Sequence, residues 1–227
     1  MKKLHVGLGK NSYDILIGEN YFEKFSEYIG EVYTGKKLFV ITDSNVHEIY
    51  EEKYKEMFKG FNYSIFVLQA GEKHKHIGIM PSIYSAMVNE GLTRKDMVVA
   101  FGGGVVGDIA GFAAASYMRE IGFIQIPTTI VSQVDSSVGG KVGVDLPEGK
   151  NLVGAFHQPK LVLIDNYFLN TLTDRYFYDG FGEIVKYGCI YDKNFFDRLV
   201  EIVEKVGVSQ DDENYIQKLR EHLMKYV

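Results

Sequence analysis

The sequence predicts an α/β protein: a Rossmann-like, mostly parallel sheet with helices on both faces, followed by the start of an all-helical unit. Three observations carry this. Apolar runs of strand length recur at 38–42 (LFVIT), 63–68, 97–101, 123–126 and 160–165 (KLVLID), with helical stretches between the earlier ones. A glycine cluster, Gly102, Gly104 and Gly107, follows one of these runs and precedes the alanine-rich segment Ile109 to Met118. After about Asp174 the apolar period becomes helical.

In order, Leu4 to Leu8 and Tyr13 to Ile17 alternate as two strands around the turn Gly9-Lys10-Asn11-Ser12. Tyr21 to Ile29 predicts a short helix ending near Gly30. Asp43 stands at the carboxyl end of LFVIT, where parallel sheets bind ligands. It either holds a ribose hydroxyl or caps the helix from Asn45, on which Val46, Ile49, Tyr50, Tyr54 and Met57 share a face. The next strand leads into AGEKHK (70–75). There Glu72 and Lys75 either clamp a ribose and a phosphate or form a solvated charged loop. Pro81 suits a helix start and Gly91 a helix end.

The glycines read as a phosphate-binding turn or as a close-packed structural one. Asp108 reads equally as an N-cap or as a partner for a ribose or substrate hydroxyl. Thr128 and Thr129 end the strand Phe123 to Ile126 and either contact a cofactor or cap a helix. Residues 133–159 show no clear period and predict a long functional loop. Lys141, Lys150 and Asn151 suit an anionic substrate there, and Asp135 suits hydroxyls. Past Asp174, one helical face is Phe195, Phe196, Leu199, Val200 and Val203, and another is Ile216, Leu219, Leu223 and Tyr226. The expected division is 1–174 and 175–227, with the last helical pattern running uncapped into Val227 as if cut inside a helix.

The net charge of −5, with no long basic run, excludes nucleic acid and anionic membrane as expected partners. MKKLHVGLGK lacks the apolar core of a signal peptide, and no apolar run is long enough to cross a bilayer. A single cysteine, Cys189, excludes an internal disulfide and a cysteine-built zinc cage. A cytoplasmic location is expected.

Taken together, AGEKHK (70–75), GGGVVGD (102–108), YMREIGFIQIPTTIVSQVDSSVGGKVGVD (117–145), GKNLVGAFHQP (149–159) and FGEIVKYG (181–188) resemble the 3-dehydroquinate synthase family of sugar-phosphate cyclases. QVDSSVGGK is the most specific of these stretches. The wider superfamily, with glycerol dehydrogenase and iron-dependent alcohol dehydrogenases, shares the fold.

The resemblance implies a helical metal-binding second domain and a defined chemistry. NAD⁺ takes hydride from a secondary alcohol of 3-deoxy-D-arabino-heptulosonate 7-phosphate, phosphate leaves by β-elimination, and the hydride returns. The ring then opens and recloses as a carbocycle, 3-dehydroquinate. Zinc, or another divalent cation such as cobalt, polarises the reacting hydroxyl. By position, Asp43, Glu72, Lys75, Gly104, Val105, Asp108, Thr128, Thr129, Lys141, Lys150, Phe168 and Thr171 match NAD contacts. Arg119, Asp135, Lys141, Lys150, Asn151 and Lys186 match substrate positions, and Glu183 matches a metal ligand. The family commonly forms homodimers.

The family completes its zinc site with two later histidines. None of His5, His47, His74, His76, His157 and His222 sits in that context, and His157 reads as a polar loop residue. The 227-residue chain is therefore expected to keep NAD contacts and to lack turnover. Smaller departures are Glu120, where the family usually has glycine, FGE at 181–183, and Thr173 in place of a common proline. The competing readings are a non-catalytic NAD-binding module, a cyclase for another sugar phosphate, and a polyol dehydrogenase.

Overall fold

The computed structural model describes residues 1–205 and 217–220. The chain opens with β1 (Lys2–Val6) and β2 (Tyr13–Gly18), then α1 (Phe25–Val32), β3 (Lys37–Asp43) and α2 (Ser44–Tyr50). Next come α3 (Tyr54–Met57), β4 (Asn62–Leu68), α4 (Met80–Asn89), β5 (Met97–Gly102) and α5 (Gly104–Ser116). β6 (Gly122–Pro127), β7 (Lys141–Leu146), β8 (Gly149–Phe156) and β9 (Leu161–Asp165) follow, then α6 (Asp174–Ile190) and α7 (Lys193–Lys205).

Seven strands form one sheet in the order β1-β2-β9-β6-β5-β3-β4. Only β1 and β2 pair antiparallel; the other pairs are parallel. The apolar runs become strands because the sheet is covered on both faces. Along β3, Leu38 and Val40 enter one core cluster, while Phe39 and Ile41 enter the other. The direction of winding reverses between β3 and β5, so a crevice opens beyond their carboxyl ends. Asp43 and Gly102 end those two strands.

The structure corrects the sequence reading in several places. Residues 133–159 are not a single loop. Ser132–Ser136 make a π-helical turn, and β7 and β8 form an antiparallel hairpin. Glycine hides the strand pattern there. A Cβ on Gly143 would lie 2.6 Å from Val153 O, and one on Gly154 would overlap Val142 O. The two glycines face each other across the ladder, so neither position accepts a side chain. α5 starts at Gly104, earlier than Ile109, because Gly103 is the N-cap. Asp108 therefore lies inside the helix and is not its cap. The helix expected to end near Gly30 runs on to Val32.

A third apolar cluster joins Ile130 and Leu169 to Phe177, Phe181, Ile184, Leu199, Ile202 and Leu219. It seats α6 and α7 on the α/β portion. On α7 the buried residues are Leu199 and Ile202, whereas Val200 and Val203 are exposed, so the packed face is rotated from the expected one. Ile216, His222, Leu223, Tyr226 and Val227 lie outside the described residues.

Candidate functional site

A cleft of about 570 Å³ is lined by Asp108 of α5, by residues that follow β6 and by the β7–β8 hairpin. Asp108, Asp135, Ser136, Lys141 and Asn151 supply its polar lining. Val138, Leu152 and Phe156 supply an apolar one. Four residues named from the sequence, Asp108, Asp135, Lys141 and Asn151, thus meet in one cavity.

Lys75 ties the site together. Its ammonium ion-pairs with Asp108 and donates to Asn151 Oδ1 at 2.6 Å. It is 5% exposed although it comes from the charged AGEKHK turn, so the solvated-loop alternative fails for this residue. Burial raises the Asp108 carboxyl above the ordinary carboxylate range, even with Lys75 pulling it down. Glu72 accepts from Lys150 at 3.0 Å, and this partner pushes the Lys150 ammonium up. Asn151 has φ +56°, a conformation asparagine tolerates better than most residues. Its amide donates to Asp145 Oδ1 at 2.7 Å.

The glycine turn borders this cleft. Gly103 caps α5 with no side-chain hydrogen bond, which leaves the first helix amides open to an anion. A Cβ on Gly104 would approach Ser136 Oγ to 3.0 Å, so the residue keeps the approach clear. This geometry fits a dinucleotide pyrophosphate beside Gly104 and Val105. Across the crevice Asp43 caps α2, accepting from Asn45 and Val46 amides. Both bonds end on Oδ1, so the cap does not use Oδ2.

Other expected residues are already engaged. Thr128 is buried and its amide donates to Gly102 O, while Thr129 and Ser132 exchange hydrogen bonds. The Phe168 ring packs in the aromatic core against Phe25, Tyr50 and Phe101, which leaves only its main chain for a ligand. Thr171 Oγ1 lies 2.7 Å from Tyr50 Oη. Arg119 is not brought to the cleft. It follows the far end of α5, about 20 Å from Gly104 at 1.5 Å per helical residue. Met118, Arg119 and Glu120 all have positive φ there. His157 is buried, stacks on Phe123 and has Nε2 2.9 Å from Ile121 O. Burial lowers its pKa, as befits a neutral core histidine.

α6 reaches the cleft through Tyr187, whose hydroxyl donates to Asp135 Oδ1 at 2.8 Å. That bond raises the Tyr187 phenol. Glu183 and Lys186, nearby on the same helix, ion-pair with each other. Glu183 raises the Lys186 ammonium. Among the described residues, no group of three or more His, Cys, Asp or Glu is placed to hold a metal ion. One carboxylate, already paired with a lysine, does not fit catalytic zinc, which generally takes three protein ligands. Sequence reasoning missed Asp145 and Tyr187. The turn residues D-L-P-E-G flag Asp145, while Tyr187 carries no local signal.

A sequence model of the N-terminal part of 3-dehydroquinate synthase matches residues 65–179. The chain belongs to the 3-dehydroquinate synthase family. It is 51% identical to the 3-dehydroquinate synthase of Clostridium acetobutylicum over 88% of its own length and 57% of that protein's. It is 47% identical to that of Clostridium botulinum over 95% of its length and 62% of the relative's. The chain thus spans about three fifths of these 3-dehydroquinate synthases. Among solved structures it resembles 2-epi-5-epi-valiolone synthase from Streptomyces hygroscopicus, which has NAD⁺ and Zn²⁺ bound. The TM-score is 0.77 at 28% identity, over 97% of this chain and 62% of that one. 2-Deoxy-scyllo-inosose synthase, complexed with carbaglucose-6-phosphate, NAD⁺ and Co²⁺, gives a TM-score of 0.74 at 25% identity, over 99% of this chain and 62% of that one.

Proposed function

We propose that this chain carries the NAD site and much of the substrate site of a 3-dehydroquinate synthase. The whole protein would convert 3-deoxy-D-arabino-heptulosonate 7-phosphate to 3-dehydroquinate and phosphate. The observation that carries the reading is the cleft in which Asp108, Asp135, Lys141 and Asn151 converge beside the open amides of α5. In this reading, 1–174 is the NAD-binding domain, and a helical metal and substrate domain begins at 175.

Bound NAD⁺ would supply the hydride acceptor and later the donor. Gly104 and Val105 amides hold its pyrophosphate, Asp43 a ribose hydroxyl, and Glu72, Lys75 and Lys150 the flank nearest the hairpin. Asp108 keeps the buried Lys75 ammonium fixed, so its charge stays aimed at the site. Asp135, held at Oδ1 by Tyr187, accepts a substrate hydroxyl on Oδ2. Lys141 and Lys186 counter the substrate's phosphate and carboxylate, and Asn151 donates to a hydroxyl. Relatives solved with Zn²⁺ or Co²⁺ support a divalent metal for the whole protein. Of the metal ligands the family implies, the described residues offer only Glu183. Arg119 joins a site only from a second copy, in keeping with a homodimer. No described helix is long and apolar enough to cross a membrane, and a cytoplasmic location accords with a biosynthetic enzyme.

Two measurements test the proposal. NAD⁺ titrated by calorimetry should bind this chain saturably, and absence of binding heat overturns the NAD site. The chain extended to the length of its relatives, given NAD⁺, divalent metal and the heptulosonate phosphate, should release inorganic phosphate without net NADH. NADH accumulation with a polyol and no phosphate release would instead mark a dehydrogenase.

A further inference from the structure

Asp145, at the end of the motif 117–145, has no role in the binding scheme above, yet three contacts converge on it. Its amide donates to Lys75 O at 2.8 Å, which stitches the AGEKHK turn to the hairpin. The two segments also meet in an isolated parallel bridge, His76 to Asp145. Its Oδ1 accepts the Asn151 amide at 2.7 Å. The β7–β8 register shifts between Val144 and Leu146, so Asp145 sits at the irregularity. Bulges of this kind re-aim a side chain.

The consequence falls on Asn151. A positive-φ residue on a strand needs a compensating contact to stay there. The carboxylate of Asp145 provides it, by holding the Asn151 amide in the φ +56° conformation. In that conformation Asn151 Oδ1 meets Lys75 Nζ at 2.6 Å. Lys75 is thereby held from two sides, by Asp108 on α5 and by Asn151 on the hairpin. We infer that Asp145 is a positioning residue of the cleft, which sets Asn151 against Lys75 and so fixes the ammonium for cofactor. This rests on the NAD-site reading above. Asp145 itself touches neither cofactor nor substrate in this scheme.

The test is a double-mutant cycle read by NAD⁺ calorimetry, with amide exchange as an independent readout. Asp145→Ala should remove exchange protection at the Asn151 amide and weaken NAD⁺ about tenfold, the value of one lost bond to a charged partner. Asp145→Asn keeps an acceptor oxygen and should restore most of the affinity. Asn151→Gly tolerates the backbone conformation but removes the contact to Lys75. The double variant should bind NAD⁺ no more weakly than Asn151→Gly alone. Additive losses, or unchanged affinity in Asp145→Ala, would overturn the positioning role. If the unmodified chain binds no NAD⁺, the functional reading fails by itself. The Asn151 amide then decides the inference: protection that survives Asp145→Ala overturns it.

Discussion

Replacing Lys75 with methionine keeps most of the buried stem and removes only the ammonium, which isolates the electrostatics of the cleft. Asp108 would lose the partner that compensates its burial. Removing one member of a buried pair costs about 3–5 kcal/mol, and the option of protonating Asp108 holds the loss to the lower end. The pH dependence has a definite sign. Burial raises the folded-state pKa of Asp108 above its ordinary 3.8. Its protonated form therefore adds stability at low pH, and that increment is lost as pH rises through the folded-state value. Without Lys75 the folded-state value rises further. The stability gap between the parent and Lys75→Met should narrow on going from neutral to mildly acidic pH, as read by denaturant unfolding. A gap that stays constant or widens would mean that Asp108 is not the group responding. His157 behaves oppositely: its lowered pKa makes protonation on acidification unfavourable to the fold, equally in both proteins.

The hairpin is the element on which most of the cleft depends, and two facing glycines let its strands approach. Gly154→Ala would drive a Cβ into Val142 O. Overpacking of this kind costs about 1–3 kcal/mol. The loss should be local: amide protection should fall across β7 and β8 while the central strands β3, β5 and β6 keep theirs. A uniform loss would mean that the hairpin folds as one unit with the sheet. The same element marks where sequence reading stopped. Strands buried on both faces are near-continuous apolar runs, so β3, β5, β6 and β9 were legible. β7 and β8 were not, because glycine at 143 and 154 and charge at 141, 145 and 150 break any period. Lys75, Asp108, Lys141 and Asn151 were nameable from motif and resemblance. That Lys75 is buried between Asp108 and Asn151 was not, since the contact joins residues 76 apart in sequence. Of the two readings open for Asp108, the cap fails because the helix starts four residues earlier, at Gly104.

At the scale of the molecule, the proposed cofactor and metal sites are unequally assembled. The crevice beside Gly104 and Asp43, with Lys75 beyond it, is assembled within the described residues, whereas Glu183, the proposed metal ligand, is already paired with Lys186. Arg119, at the opposite end of α5, shows a second division, because a single chain does not bring it to the cleft. If the parts are independent, NAD⁺ affinity should be the same with zinc, without it and after a chelator. The physical reason is linkage: zinc shifts NAD⁺ binding only where it binds the liganded and free forms differently. A lone carboxylate paired with a lysine gives zinc little to hold. Calorimetric titrations in the three conditions check this, and sedimentation on the same samples reports whether a dimer forms. Zinc-strengthened binding would overturn the separation. If it appeared only where the chain dimerises, the missing ligands would come from a second copy. If it appeared in the monomer, they would come from residues outside those described.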